Sequence, residues 1–172
     1  TPIAIPRFAP AFRGDTSTCA WQTDDDSAAP GLLGASRQAS LIRRDYVTNS
    51  NDSYWLANPE VPITGIAQVQ GSSASERTLR TRSGLDMIRQ RIDGTDGLAG
   101  NTFDVYSIVD RMLSNRNYAG QLLRDDLVTL CRANPDVDLE EASVDLSEAC
   151  SVLAGWDLHS NLDSRGAHLF RE

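Results

Sequence analysis

Residues 44–59 read R-D-Y-V-T-N-S-N-D-S-Y-W-L-A-N-P, the densest concentration of chemically useful side chains in the sequence, and the other segments are best understood as built around it. Short amide and hydroxyl groups lie there among aromatic rings, a mixture typical of small-ligand sites. Asparagine tolerates unusual backbone angles and offers both a donor and an acceptor, so several in one turn can direct fixed dipoles at one point. The alternative is a turn whose amides satisfy their own backbone.

Length and composition indicate one globular domain, or a large piece of one, with a core of ordinary size. Apolar residues make up 40% of the chain and charged residues 23%, and 24 acidic against 16 basic residues give a net charge of −8. An acidic chain is a poor partner for nucleic acid or an anionic membrane surface, because both require a basic face. We therefore expect neither as a partner.

The residue types that are missing exclude several chemistries. All sixteen basic residues are arginine, so a lysine nucleophile or Schiff base is excluded within this sequence. Three cysteines and two histidines, His159 and His168, show no metal-ligand spacing, and we expect no metal and no cofactor. Three cysteines permit one internal disulfide at most. Cys131 with Cys150 is the favoured pair, because both lie in predicted helical segments that can pack together.

The first forty positions, residues 1–40, are rich in Pro, Ser, Ala and Asp and show no sustained period, which predicts an extended arm. A free-standing loop of this length is improbable in a compact domain, so we expect the arm to pack on chain outside this sequence. Trp21 is expected to anchor it by burial. The run Asp24–Asp26 could hold a cation, but acidic triplets are usually solvated surface.

The rest of the chain divides into a strand-and-turn segment, residues 41–75, and a helical region, residues 76–172. The first is expected to contain a short strand at Leu41–Val47, then the asparagine-rich turn and a loop. The second shows helical periodicity, and the expected stripe of its second helix (Val105, Ile108, Val109, Met112) fits one buried face. The first helix is predicted from Glu76 to Gly94, the second is predicted to start with Thr102 as its cap, and the third is predicted to end at Asn134–Pro135. An acidic linker (136–145) precedes a fourth helix from Leu146, and a last helix is predicted from Asp163–Ser164. The unfinished pattern of that last helix favours a fragment of a longer chain.

The segment 44–59 resembles the oxyanion-hole segment of the penicillin acylase family, most closely the branch with acyl-homoserine lactone acylases and aculeacin-type acylases. One stretch in isolation is weak support, but four others agree in the same order, and together they cover most of residues 20–172. The four are A-A-P-G-L-L (28–33), R-T-L-R-T-R-S-G-L (77–85), A-C-S-V-L-A-G-W-D (149–157) and N-L-D-S-R-G-A-H-L-F (161–170).

Members of this family are N-terminal nucleophile (Ntn) amidohydrolases, so the resemblance implies an α+β fold, here a fragment of the αββα β subunit that is mostly helical after residue 76. The family cuts a precursor so that a serine begins the β subunit, and the amine of that serine is its own base. An α-amine has a pKa of about 7.7 to 8.0, so part of it is unprotonated near neutral pH. The hydroxyl attacks the amide, and water then hydrolyses the acyl-enzyme.

Matched residue by residue, the N-x-N pattern of the family falls on Asn49 to Asn51. The resemblance implies that Asn51 donates its side-chain N–H to the oxyanion, while Asn49 and Asp52 hold the turn. Tyr54 and Trp55 are candidates for substrate binding.

The arginine that orients the nucleophile region in the family matches Arg82, with Arg80 as the rival register. Thr1 is not expected to be the nucleophile, because Pro2 constrains the backbone beside its amine. The serine must therefore lie on chain outside this sequence, and the polypeptide is expected to be inactive alone. Its expected partners are the remainder of the β subunit and the α subunit, with a small acyl amide as substrate. The family implies export to the periplasm or beyond.

Two different interpretations remain open. Asn51–Asp52–Ser53 satisfies the N-x-S acceptor pattern for glycosylation, which would place Asn51 on the surface without a catalytic role. Alternatively, residues 76–172 form a helical protein-interaction module and the asparagine-rich turn is only a connector. That module should fold and bind without the upstream arm, whereas the acylase interpretation predicts that arm and turn need the missing core.

Overall fold

The chain divides into two compact units, residues 1–75 and residues 76–172, which are described separately. Among the described residues, the first unit consists of loops and three short 3-10 turns, and the second contains the helices and a small sheet. No helix in the described part of the chain has the length and apolar character of a membrane span. Trp21, the expected anchor of the arm, lies outside the described residues. The computed structural model describes residues 14–20, 23–52, 54–67, 70–139 and 142–171.

The acidic run of the arm is engaged in local hydrogen bonds. Asp24 accepts the backbone N–H of Gly34 at 2.8 Å, and Asp26 accepts the backbone N–H of Ser36 at 2.7 Å and its hydroxyl at 3.1 Å. The Ser36 N–H is the main cause of a lowered pKa of Asp26. No cluster of three possible metal ligands occurs within the described residues.

The short strand predicted at Leu41–Val47 is wrong, because this segment is irregular. A strand needs a neighbouring strand for its backbone groups, and the described residues of the first unit contain none. Arg43 and Asp45 instead form an ion pair two residues apart, and Thr48 begins the closure of the next loop.

The second unit contains five helices and a two-stranded sheet among its described residues, a mixed composition compatible with the α+β class. The predicted ends of the first helix at Gly94 and of the third at Asn134 are confirmed. The first helix begins at Leu79, three residues after the predicted Glu76, and the last begins at Ala167 and not at Asp163–Ser164. The elements are α1 (Leu79–Ile92), α2 (Val105–Leu113), α3 (Tyr118–Ala133), β1 (Asp136–Asp138), β2 (Ser143–Asp145), α4 (Ser147–Ala154) and α5 (Ala167–Arg171).

The prediction that Thr102 caps α2 is wrong, since Asp104 is the cap. Its carboxylate accepts the backbone N–H of Ser107 at 2.7 Å, and the Ser107 hydroxyl accepts the backbone N–H of Asp104 at 2.8 Å. This reciprocal pair is a capping box with serine at the third helical position. The Ser107 N–H is also the main cause of a lowered pKa of Asp104.

The acidic linker predicted at 136–145 is instead an antiparallel hairpin of β1 and β2, with Val137 opposite Val144. The turn closes where the N–H of Leu139 donates to the carbonyl of Ala142 at 2.8 Å. Each strand has only three residues, all of them exposed, so the alternation of polar and apolar residues is shorter than the runs that identify a strand in a sequence.

The apolar centre of the second unit is Trp156, which is buried and donates its indole N–H to the carbonyl of His159 at 2.8 Å. The Phe170 ring lies 5.0 Å away between centroids. Gly120 and Gly166 lie against Trp156. A Cβ at Gly120 would come within 2.6 Å of the indole ring, and a Cβ at Gly166 within 2.7 Å of Cβ of Trp156. α3, α4 and α5 thus meet on one aromatic side chain.

The stripe of α2 that was expected to be buried is exposed, so that prediction is wrong for this unit. Val105 is 73% exposed and Met112 is 69% exposed, and Ile108 and Val109 are also exposed. Helical periodicity identifies the apolar side of a helix, but it does not say what covers that side.

A fully buried arginine closes the loop that follows α1. Nη1 of Arg91 lies 3.2 Å from Oδ2 of Asp96, and neither side chain has exposed surface. Nη2 donates to the backbone carbonyls of Leu98 (3.3 Å), Ala99 (3.2 Å) and Gly100. One guanidinium therefore holds a loop that has little apolar content.

The predicted disulfide between Cys131 and Cys150 is confirmed and joins α3 to α4 across 19 residues. Closing a loop of this length stabilises the pair of helices by about 3 kcal/mol in the chain-entropy model. We expect the double variant Cys131→Ala/Cys150→Ala to lose that amount in the opening of α3 and α4, measured by amide hydrogen exchange. Cys19→Ala should leave the same amides unchanged, and equal protection in the double variant would contradict the prediction.

Candidate active site

The asparagine-rich turn lies at the tip of a loop, residues 46–58, that is closed at its foot. The N–H of Thr48 donates to the carbonyl of Ala57 at 2.8 Å. A 3-10 turn at Tyr54–Leu56 leads back to the foot, and the N–H of Ala57 closes it on the carbonyl of Tyr54 at 3.0 Å. The tip is therefore carried by a loop with defined ends.

Asn58, at the end of that loop, is completely buried. Its Nδ2 donates to the carbonyl of Tyr46 at 3.0 Å and to Oδ2 of Asp45 at 3.4 Å. Its Oδ1 accepts the backbone N–H of Glu60 at 2.9 Å. The side chain thus connects the two ends of the loop.

Asp45 is held in turn by Arg43, whose Nε and Nη2 donate to the two carboxylate oxygens at 2.9 and 2.6 Å. This bidentate pairing is the main cause of a pKa of Asp45 far below its usual range, and a backbone N–H from Tyr46 adds to it. The carboxylate facing Asn58 is therefore ionised at any pH near neutrality.

Asn51 itself has a left-handed backbone, with φ 53°. Asparagine accepts this conformation more readily than other residues with a side chain. Oδ1 of Asn49 accepts the backbone N–H of Asn51 at 2.9 Å, a hydrogen bond within the turn. The side chain of Asn51 is exposed on the surface of this unit.

Asn51 lies on an open recess of about 530 Å³ whose walls are mainly amide, hydroxyl and carboxylate groups. Tyr54 supplies an aromatic wall, whereas Trp55, the other candidate for substrate binding, is not among the lining residues. Such a recess offers several donors and acceptors around one space. The lining residues are Asn49, Asn51, Asp52, Tyr54, Gln70, Gly71, Ser72 and Ser75.

Gln70 fixes a second wall of the recess. Its Oε1 accepts the backbone N–H of Ala39 at 3.0 Å, and its Nε2 donates to Oε1 of Gln38 at 2.7 Å. Gln70, which follows the loop, therefore connects by hydrogen bonds to Gln38 and Ala39, which precede it.

The predicted arginines, Arg80 and Arg82, belong to the second unit, whereas Asn51 belongs to the first. Arg80 and Arg82 occupy the first turn of α1, which Thr78 caps, and both are exposed. Positive charge at a helix N-terminus opposes the helix dipole, so helix stability does not account for either arginine. Two residues apart on a helix, they point in nearly opposite directions.

Sequence reasoning missed the supports of the loop. The sequence predicts no role for Asn58, and the strand predicted at Leu41–Val47 includes Arg43 and Asp45, which form an ion pair instead. The signal was present in the pattern R-x-D, in which two opposite charges are separated by one residue. No local pattern predicts that a single asparagine thirteen residues later is buried against that pair.

The chain matches the family described as penicillin amidase over residues 4–172. It therefore belongs to the penicillin amidase family, a class of amide hydrolases. It is 48% identical over 160 residues to aculeacin-A acylase of Actinoplanes utahensis, a match that covers 92% of this chain and 20% of that protein. It is 33% identical over 152 residues to the acyl-homoserine lactone acylase PvdQ of Pseudomonas putida, covering 88% of this chain and 17% of that protein.

A PvdQ acylase of Pseudomonas fluorescens is 30% identical over 151 residues, covering 88% of this chain and 18% of that protein. The chain thus spans about a fifth of the length of the curated relatives it matches. Activity, substrate and partners are properties of such whole proteins.

Proposed function

We propose that this chain is a segment of the β subunit of a bacterial Ntn amidohydrolase that cleaves an acyl amide through a serine acyl-enzyme. In this proposal Asn51 donates its side-chain N–H to the oxyanion. The observation that carries the proposal is that Asn51 is held in a left-handed turn by Asn49 and lines a polar recess. Replacing Asn51 in the full-length acylase is the direct test, and loss of turnover is the expected result.

The chemistry requires a fixed donor where negative charge appears. When the serine hydroxyl attacks the amide carbonyl, its oxygen becomes an oxyanion, and a preorganised N–H stabilises the charge more than it stabilises the substrate. In the proposal Asn49 and Asp52 keep the turn in shape, and Tyr54 and Trp55 flank the substrate. The serine and its amine belong to chain outside this sequence, so the segment should be inactive alone.

For the substrate, we propose an amide of a long aliphatic acid. The support is the names of the relatives, an aculeacin-A acylase and acyl-homoserine lactone acylases. An acyl-homoserine lactone, a lipopeptide or a penicillin side chain are the candidate classes. The recess beside Asn51 is polar, so an aliphatic chain should be held by residues outside this segment.

We propose the remainder of the β subunit and the α subunit as partners. The support is the exposed stripe of α2, because soluble proteins rarely leave a contiguous apolar surface of this kind uncovered. In the proposal the arm at 1–40 packs on the Ntn core, and residues 41–75 supply the turn. Residues 76–172 form a helical region that packs beside the Ntn core. The mature enzyme would be periplasmic or secreted.

Arg82 provides a separate test of the proposal. In the full-length acylase, Arg82→Ala is expected to lower kcat or the rate of precursor cleavage by about tenfold or more, because a fixed guanidinium orients polar groups near the nucleophile. Arg80→Ala is the matched control, since it removes the same charge from the opposite side of the same helical turn. The measurement is kcat together with the fraction of cleaved precursor. Normal maturation and kinetics for Arg82→Ala would remove its role, and a loss only in Arg80→Ala would transfer that role to Arg80.

A further inference from the structure

The buried side-chain amide of Asn58 forms three hydrogen bonds. Nδ2 meets two oxygens, the Tyr46 carbonyl at 3.0 Å and Asp45 Oδ2 at 3.4 Å, and Oδ1 meets the N–H of Glu60 at 2.9 Å. Only this orientation of the amide is compatible with its surroundings, because the reverse would set Oδ1 against a carbonyl and a carboxylate. The amide is therefore held in one position.

These contacts define where the loop begins and ends. Asn58, the last residue of the loop, binds the carbonyl of its first residue, Tyr46, and the N–H of Glu60 just after it. The hydrogen bond from Thr48 to Ala57 is the next connection inward. The asparagine-rich tip, with Asn51 at its left-handed position, projects from this foot. We therefore expect a change in the foot to move the tip without removing any group from it.

We propose that Asn58 is a positioning residue that sets the location of the Asn51 amide for oxyanion binding. The inference rests on the proposed function of Asn51. Asn58 is not among the described residues that line the recess, so it acts through the loop and does not touch substrate. Oxyanion donors act at 2.7 to 3.1 Å, and a displacement of about 1 Å can cost about 10²-fold in rate.

The test is Asn58→Asp in the full-length acylase. Aspartate has nearly the same shape and can still accept the N–H of Glu60, but it turns a donor into an oxygen facing the ionised Asp45. We expect kcat per titrated active site to fall about tenfold or more, with KM within a few-fold. Asn134→Asp is the matched control, because its exposed Nδ2 also donates to a backbone carbonyl, that of Leu130 at 2.9 Å. Its kcat should be unchanged.

A double variant separates positioning from a merely structural role. If Asn58 acts through Asn51, then Asn51→Gly/Asn58→Asp should have the same kcat as Asn51→Gly, because no donor remains to be misplaced. If the losses of kcat from the two substitutions multiply in the double variant, the inference is overturned. A wild-type kcat for Asn58→Asp would also overturn it. If that variant fails to mature, Asn58→Ala, which leaves a gap without charge repulsion, is subjected to the same comparison and the same criteria.

The two proposals fail in different ways. If Asn51→Gly retains wild-type turnover, the oxyanion role of Asn51 is lost, and the role of Asn58 is lost with it. If Asn51→Gly loses turnover while the Asn58 variants keep it, the proposed function stands and only the positioning role is overturned.

Discussion

Asn51→Gly in the full-length acylase is expected to lower kcat by about 10²- to 10³-fold, the usual loss when one oxyanion donor is removed. kcat/KM should fall by a similar factor, because the interaction is made in the transition state and not with bound substrate. The measurement is the rate of hydrolysis of an acyl amide per titrated active site.

Glycine is the informative replacement because Asn51 has a φ of 53°. Alanine is strained in this conformation by about 1 to 2 kcal/mol, so Asn51→Ala should show the same loss of kcat together with a small loss of stability. Asn51→Asp retains the size but places a charged acceptor near the developing oxyanion, and it should be at least as impaired.

Asn115→Gly is the control for this experiment. Asn115 is also an exposed asparagine with a left-handed backbone, φ 49°, but it lies in the helical unit and its Nδ2 donates to Asn161 at 2.9 Å. Its replacement should leave kcat within a few-fold of wild type. An Asn51→Gly enzyme with activity equally close to wild type would end the assignment of Asn51.

The second large effect is expected on stability, from Arg91→Met. Methionine fills much of the volume but leaves the Asp96 carboxylate buried without its charge partner, at a cost of about 3 to 5 kcal/mol. The three carbonyls at residues 98–100 also lose their donor. We expect amide protection in the loop after α1 to fall by about 10²-fold or more in hydrogen exchange of the full-length protein.

Two comparison variants sharpen this prediction. Arg91→Met/Asp96→Leu removes both charges and should be less destabilised than Arg91→Met, because no uncompensated charge remains in the interior. Arg89→Ala, an exposed arginine two residues earlier on α1, should leave protection of the loop unchanged. Unaltered protection in Arg91→Met would show that the ion pair does not hold the loop.

The parts of the fold that follow from local chemistry were predictable from the sequence. Gly94 has a φ of 67°, and the N–H of Thr95 donates back to the carbonyl of Gln90, so the end of α1 is determined by residues within one turn. The end of α3 before Pro135 has the same local origin. The cap of α2 was misplaced because an Asp–Ser capping box does not match the more familiar Ser/Thr–Glu pattern, although it works in the same way.

What could not be predicted depends on partners that are distant in sequence or absent from the sequence. Nothing local to Arg91 indicates that an arginine in a helix is wholly buried, since its acceptors are carbonyls that the following loop presents only when folded. The candidate site shows the same limit. The asparagine-rich turn was recognisable from its residues, but the buried Asn58 beneath it depends on Asp45, thirteen positions earlier.

The covalent link between α3 and α4 has a consequence for any cut in the chain. The hairpin of β1 and β2 lies entirely between Cys131 and Cys150, so a protease that breaks a peptide bond there opens a ring and does not release a fragment. The two helices would stay tethered through sulfur, and the nicked molecule would separate into two pieces only under reducing conditions.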